Sequence, residues 1–416
     1  MASHRLEDIF RKTAHYHVQD IQSLKAIFGG ETFPVGHRNI VSASGVYTDT
    51  IVLPDPFLRT RQLALEDGSA EQVQWFVKSA LSVLQYRDAA TADLTTPLVV
   101  IVPDMSYVDA QEREMLKTTS EPSILAHLEA MFGIPFASLD EAGDYLAKFE
   151  SPGDVVGHLK DPKRLLFDVD DHDPLEEQIE RYTENHFSRA AYSAGRVVLM
   201  SAIGRMLQAS DLLRRSRWLN GTPLIDAPTS WQHFTWKLGY DAQTASDSRG
   251  DRLHLHMNRA LQSAATGEMQ WLGKVPVSAL IEMRKNDVLP ELREMLSRGV
   301  AELAELRPDN FYRTGDQVFE NIQKAFDDHQ KVLASLTGKK WRFAGVELAS
   351  CVVKGAVQVA SACGVPGVSL IGAGLEQVVD IPKLKDVPKR IRSLRDEGQK
   401  LNSSAVGMLF NASKRH

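Results

Sequence analysis

The sequence has little cysteine: only Cys351 and Cys363, both in one short C-terminal stretch. That excludes a disulfide framework and suits a reducing compartment. It lacks a dominant charge. Its 48 Lys and Arg stand against 54 Asp and Glu, for a net charge of −6. A chain that coats nucleic acid along its whole length is excluded, although local basic patches are not. It lacks an apolar run behind the N-terminus, where MASHRLEDIFRKTAHYHVQD mixes both signs of charge, so no secretory signal is expected. It also lacks the local signatures of catalysis. There is no GxSxG, and neither cysteine has a histidine near it in sequence. TGKKW (337–341) has the Gly-Lys of a phosphate loop without the upstream glycine or the following hydroxyl residue. GAGLEQ (372–377) begins like GxGxxG and loses its last glycine.

What is present is ordinary globular material. Hydrophobic residues make up 43% and charged residues 25% of 416 positions, enough for two or three domains and at least one large core. Residues 4–28 carry apolar positions at helical spacing, ending at Gly29-Gly30, and predict an amphipathic helix. YTDTIVLPDP (47–56) and TPLVVIVPDM (96–105) are β-branched runs stopped by Pro-Asp. The helical periodicity of 71–89 lies between them, so a βαβ unit is expected. From about residue 110 the chain reads as helical. Helices are expected at 120–133 and 138–149 behind serine N-caps, from the acidic stretch 167–177 to beyond Leu213, and at 231–242 and 253–264. Further helices are expected at 277–287, 289–306 and 316–336.

Several clusters bear on chemistry. Asp168, Asp170, Asp171, His172 and Asp173 suggest a divalent cation, but Asp173 before Pro174, with Glu176 three residues on, is better read as a helix cap. His15/His17 and His254/His256 are spaced by two, which on a helix turns the rings to different sides. No metal and no cofactor are therefore expected. Asp55 and Asp104 each follow a β-like run. In a parallel pair both would sit at the carboxyl edge, where two carboxylates could hold Mg²⁺ for phosphodiester cleavage, with Asp49 and Asp109 as further candidates. The alternative is that Pro-Asp simply ends each strand. TSWQHFTWKLGY (229–240) interleaves aromatic and basic residues and could stack bases, but Trp231, Phe234 and Leu238 also fit a core stripe.

Four phrases, LPDPF (53–57), MFGIPFASLDEA (131–142), SWQHFTWKL (230–238) and WLGKVPVSALIEMRKND (271–287), occur in an order that resembles a widespread uncharacterised family of bacterial proteins of similar length. The resemblance spans about 45–310. It implies a bacterial cytoplasmic origin and an unbroken architecture, supplies no catalytic residues, and brings antiviral defence into view as a setting.

No charge interrupts 355–375, GAVQVASACGVPGVSLIGAGL. Five Gly and four Ala against seven Val, Leu and Ile make a poor membrane span. A turn at GVPG (364–367) instead predicts a helical hairpin. Its first helix, about 344–363, would carry a polar stripe of Glu347, Ser350, Lys354, Gln358 and Ser361. KLKDVPKRIRSLR (383–395) follows, with Lys383, Lys385, Lys389, Arg390, Arg392 and Arg395 against one Asp. This run suits an anionic membrane surface or nucleic-acid phosphates.

The expected fold is mainly α (α+β), with an N-terminal α/β element over 1–110, a helical domain over 111–310, and a third part, 311–416, of long helix, helical hairpin and basic tail. The expected function is that of a non-enzymatic cytoplasmic binding protein, acting as a homo-oligomer or with a partner protein. A sensor or effector role with conditional membrane contact is included. A Mg²⁺-dependent nuclease using Asp55 and Asp104, or a nucleic-acid binder, is the alternative.

Overall fold

The computed structural model describes residues 17–30, 40–58, 60, 69–102, 110–167, 173–187, 192–241, 249–267, 269–306, 310–338, 342–343, 346–347 and 400–414. The architecture is mainly α with a small parallel sheet. β1 (Lys25–Phe28), α1 (Ile40–Ser44), β2 (Thr50–Leu53), α2 (Ser69–Ala90) and β3 (Val99–Ile101) form the N-terminal α/β element. The helices α3 (Ala110–Phe132), α4 (Leu139–Leu146), α5 (Pro152–His158), α6 (Leu175–Phe187) and α7 (Ala194–Trp218) follow. Then come β4 (Thr222–Leu224), α8 (Pro228–Asp241), α9 (Arg249–Thr266), α10 (Val277–Lys285), α11 (Leu289–Ser297), α12 (Val300–Leu306) and α13 (Phe311–Gly338). A two-residue pair, β5 (Arg342–Phe343) and β6 (Val346–Glu347), precedes the last helix, α14 (Ala405–Ser413).

The strands β3-β2-β1-β4 lie side by side, all parallel. The expected βαβ unit is therefore present, with α2 as its crossover. Side-chain alternation splits the sheet between two cores. Ala26, Phe28, Ile51, Leu53 and Leu224 join Leu261, Leu280, Leu292, Val318 and Leu409 from α9, α10, α11, α13 and α14. On the other face Ile27, Val52 and Ile225 meet Leu212 of α7 and Trp231 and Phe234 of α8. Covering both faces is why the strands read as continuous apolar runs. A third cluster, including Leu128, Met131, Leu146, Ile179 and Met206, holds α3 to α7 together.

Several local expectations change. Residues 25–28, read as the end of a helix, are the buried strand β1. Each of its side chains is claimed by one face or the other. Lys25 is included, at 1% exposed, with its ammonium donating to the carbonyls of Val18 (2.7 Å) and Gln19 (3.2 Å). Burial lowers its pKa. Gly29 is needed less to stop a helix than to admit Leu212, since a Cβ there would lie 2.6 Å from Leu212 Cδ2. β4 was not expected at all: three residues with Pro223 in the middle, tolerated because β4 is an edge strand.

Ser120 does not cap a helix. It lies inside α3 and returns its hydroxyl to Leu116 O (2.5 Å), whereas Ser138 caps α4 by accepting from Glu141 N (3.2 Å). The helix expected to run past Leu213 is two helices, α6 and α7, the second capped by Ser193. Residues 289–306 break at Gly299, whose φ of +77° suits glycine. Asp173, two residues before α6, pairs with Arg181 in its second turn (2.6 Å), while 168–172 lie outside the described residues. The hairpin's first helix was expected from about 344, but Glu347 lies in the strand β6, paired antiparallel with β5. Ser350, Lys354, Gln358 and Ser361, the hairpin turn and the basic residues from Lys383 to Arg395 lie outside the described residues. Among the described residues no helix is long and apolar enough to cross a membrane.

Candidate functional site

Parallel pairing of β2 and β3 places their carboxyl ends at one edge of the sheet. Asp55 is there, two residues past β2, and its carboxylate accepts from Phe57 N (2.9 Å) in a local turn. Asp104 lies outside the described residues, as does Asp109. Asp49 precedes β2 and belongs to the opposite edge, on the order of 15–20 Å away at a strand's rise. There it accepts from Leu24 N (3.0 Å) and pairs with Arg293 of α11 and with Arg284 of α10 (3.6 Å). Arg284 also donates to the carbonyls of Thr48 and Asp49, and Arg293 Nε donates to Tyr47 O (2.7 Å). Burial brings Arg284 down to about 10. Asp49 and the conspicuous arginine of EMRKND therefore form a structural clamp between β2 and the helices below it.

The two histidines of α9 diverge, as helical spacing requires. His254 Nδ1 meets the Tyr47 hydroxyl (2.9 Å), and His256 Nδ1 meets Thr314 Oγ1 (3.1 Å) while its ring stacks on Phe311. Burial raises the Tyr47 phenol to about 12. Among the described residues no group of His, Cys, Asp and Glu is arranged to hold a metal. The aromatic run on α8 is spent on packing. Trp231 and Phe234 are core, His233 is buried with Nδ1 against Thr229 O (2.9 Å), and Trp236 lies between His127 and the guanidinium of Arg164.

The strongest surface feature is α2. Its buried positions include Ser79, Ser82, Tyr86 and Ala89, one stripe at helical spacing that packs toward β3 and α10. Ser79 Oγ donates to Pro56 O (2.6 Å) and Trp75 O (2.7 Å), so its polarity is absorbed locally. Burial, and then the charge of Asp226, raise the Tyr86 phenol. The outer face is apolar: Val73 is 64% exposed, Phe76 54%, Val77 49%, Leu81 49% and Leu84 60%. An amphipathic surface helix turns its apolar face inward; α2 turns its serines inward and its Val, Phe and Leu outward. Lys78 leans over Trp75 (4.4 Å), at the border of the stripe. Sequence periodicity identified the helix but could not say which face was covered. Only the serines at 79 and 82, out of place on a solvated face beside so much apolar surface, hinted at the inversion.

Compared with known proteins, the chain matches no family model, no curated protein and no solved structure.

Proposed function

We propose that this chain is a non-enzymatic binding protein that works as a homo-oligomer, with the outer face of α2 as its self-association surface. The outward apolar stripe of α2 carries the reading. Val73, Phe76, Val77, Ala80, Leu81 and Leu84 are arranged symmetrically about the point between Lys78 and Ser79. Two copies of α2 crossing antiparallel about a two-fold axis there would set Phe76 of each near Leu81 of the other, and Val73 near Leu84. A two-fold interface requires such a self-complementary patch. Covering Val73, Phe76, Val77, Leu81 and Leu84 is worth roughly 1 kcal/mol each, about 10 kcal/mol over two copies, against an association cost of about 4–15 kcal/mol, so the expected dimer is weak and concentration-dependent.

The test is mass in solution by light scattering, for the full chain and for Phe76→Glu and Leu81→Glu. The wild type should run as a dimer with a melting temperature that rises with concentration, and each variant as a cooperatively folded monomer whose melting temperature does not. A wild-type monomer at 50–100 µM, on the order of a weak interface's Kd, would refute the reading.

The proposal extends to the setting. The resemblance to bacterial proteins supports a cytoplasmic sensor or effector in antiviral defence. The basic run 383–395 supports contact with an anionic partner, a membrane surface before nucleic acid. The Mg²⁺-dependent nuclease using Asp55 and Asp104 is retained as a second reading, because β2 and β3 are parallel neighbours with a common carboxyl edge. Its test is cleavage of nucleic acid with Mg²⁺ by wild type and by Asp55→Ala; equal activity, or none in either, would discard it.

A further inference from the structure

A second feature stands on other elements. Between α3, α7 and α8 lies a cavity of about 660 Å³, within the range that holds small ligands. Its chemistry is mixed. Trp218, 37% exposed, and Met115, 45% exposed, give it an open apolar wall. Among the described lining residues, Arg214, Arg217 and Lys237 bring three cations against the one carboxylate of Asp241. Two of these cations are occupied. Arg214 is held by Asp211 (2.9 Å), and Lys237 donates to Asp241 (2.7 Å) and to Ser123 Oγ (2.8 Å). Arg217 makes no ion pair among the described residues and is exposed. The last turn of a helix favours cations, which accounts for arginines at the end of α7. It does not account for an exposed indole beside them. Nor does it account for Ser210, which lines the cavity at 8% exposed with a buried hydroxyl that has no hydrogen-bond partner. A buried hydroxyl left unsatisfied is unfavourable, so a ligand atom that reached it would relieve that cost.

We infer that this cavity is a binding site for a small planar anion of nucleoside monophosphate size. The ring lies on the Trp218 indole, the phosphate or carboxylate faces Arg217 with Arg214 behind it, and Ser210 bonds a polar atom of the ligand at the cavity floor. Stacking on the indole and a charge-assisted hydrogen bond to a guanidinium are the two interactions that hold the ligand.

The experiment is isothermal titration of the full chain with AMP, GMP, CMP and UMP, with indole-3-carboxylate, and with inorganic phosphate and adenosine as half-ligands. At least one planar anion should bind with a Kd below about 1 mM, at least tenfold tighter than either half-ligand. Arg217→Gln and Trp218→Leu change exposed side chains and should each weaken it at least tenfold, while Ser210→Ala should weaken it severalfold. The inference is overturned if no planar anion binds, if inorganic phosphate binds as tightly as the best of them, or if both exposed-site variants bind as the wild type does. None of these outcomes depends on the oligomeric state, so the site and the α2 interface stand or fall separately.

Discussion

His127 provides a test of the helical lobe that needs no knowledge of ligand. Its ring is 1% exposed between α3 and α8. Nδ1 meets the Tyr240 hydroxyl (3.1 Å), which also accepts from Arg164 Nη1 (3.1 Å), while Nε2 is buried without a hydrogen-bond partner. His233 and Trp236 lie against the ring, at 5.4 and 5.0 Å between centroids. Burial, then electrostatic interaction with His233 and with the Arg164 guanidinium, pushes its pKa down to about 3. The unfolded chain takes up this proton near pH 6.5, whereas the folded chain refuses it until about pH 3. Stability from this group is therefore complete above pH 6.5 and is lost as the pH falls from there toward 3. At 1.36 kcal/mol per unit, the loss between pH 7.5 and pH 5 is about 2 kcal/mol. His127→Gln keeps a polar partner for Tyr240 and titrates nowhere in this range. Urea unfolding at pH 7.5, 6.5, 5.5 and 5.0 measures both slopes. The wild type should lose about 2 kcal/mol more than the variant over that span, whatever the variant's stability at pH 7.5. Parallel pH curves would show that His127 is protonated in the fold, and the account of this cluster would be wrong.

Two further predictions concern packing and the clamp. Gly195→Ala should cost several kcal/mol or abolish folding, because its Cβ would lie 1.9 Å from the backbone oxygen of Leu146. Gly204→Ala, on the same helix with nothing within 4 Å, should stabilise by about 0.5–1 kcal/mol, and thermal melts of the pair give opposite signs. Arg284→Ala should cost about 3 kcal/mol in urea unfolding, because it removes a buried donor to Thr48 O and Asp49 O and one of the two cations paired with Asp49.

How much of this was legible in the sequence depended on distance along the chain. The β2-α2-β3 unit could be read because each strand is a β-branched run and the periodic helix lies between them, all within about 55 residues. The long helix α13 could be read because Val318, Ile322 and Phe326 mark one face over several turns, and the first two are fully buried. β1 could not. Four residues carry too little period, and Lys25 looks like a surface residue until the carbonyls of Val18 and Gln19 come within its reach. β4 is shorter still and contains a proline. The cavity was out of reach for a different reason. Met115, Ser210 and Lys237 come from three helices more than a hundred residues apart at the extremes, and no local spacing joins them. The available signal was RRSRW at the end of α7, a cation cluster closing on a tryptophan.

One row of buried polar residues acts together. Ser42 donates to Val275 O (2.8 Å), Gln262 to Ser44 Oγ (2.7 Å) and Thr48 to Asn258 Oδ1 (3.2 Å), while Tyr47 meets His254. With Arg284 and Arg293, every one of these bonds ties the short segment 42–49 to residues 254–293. Apolar contacts alone would tolerate a shift of α9 along α1, since one Leu or Ala replaces another at modest cost. A row of hydrogen bonds does not, because a slipped register leaves several buried polar groups unpaired at once, each costing about 1–3 kcal/mol. The polar row therefore fixes the register of α9 against α1 and the start of β2. The same reasoning separates Ser79 and Ser210, which sit at the two proposed sites. Ser79 closes its bonds within its own element and loop, so the surface it serves lies on the opposite face of α2. Ser210 closes none; Ser82 and Ser216 also close none, but of the three only Ser210 is among the residues that line the cavity.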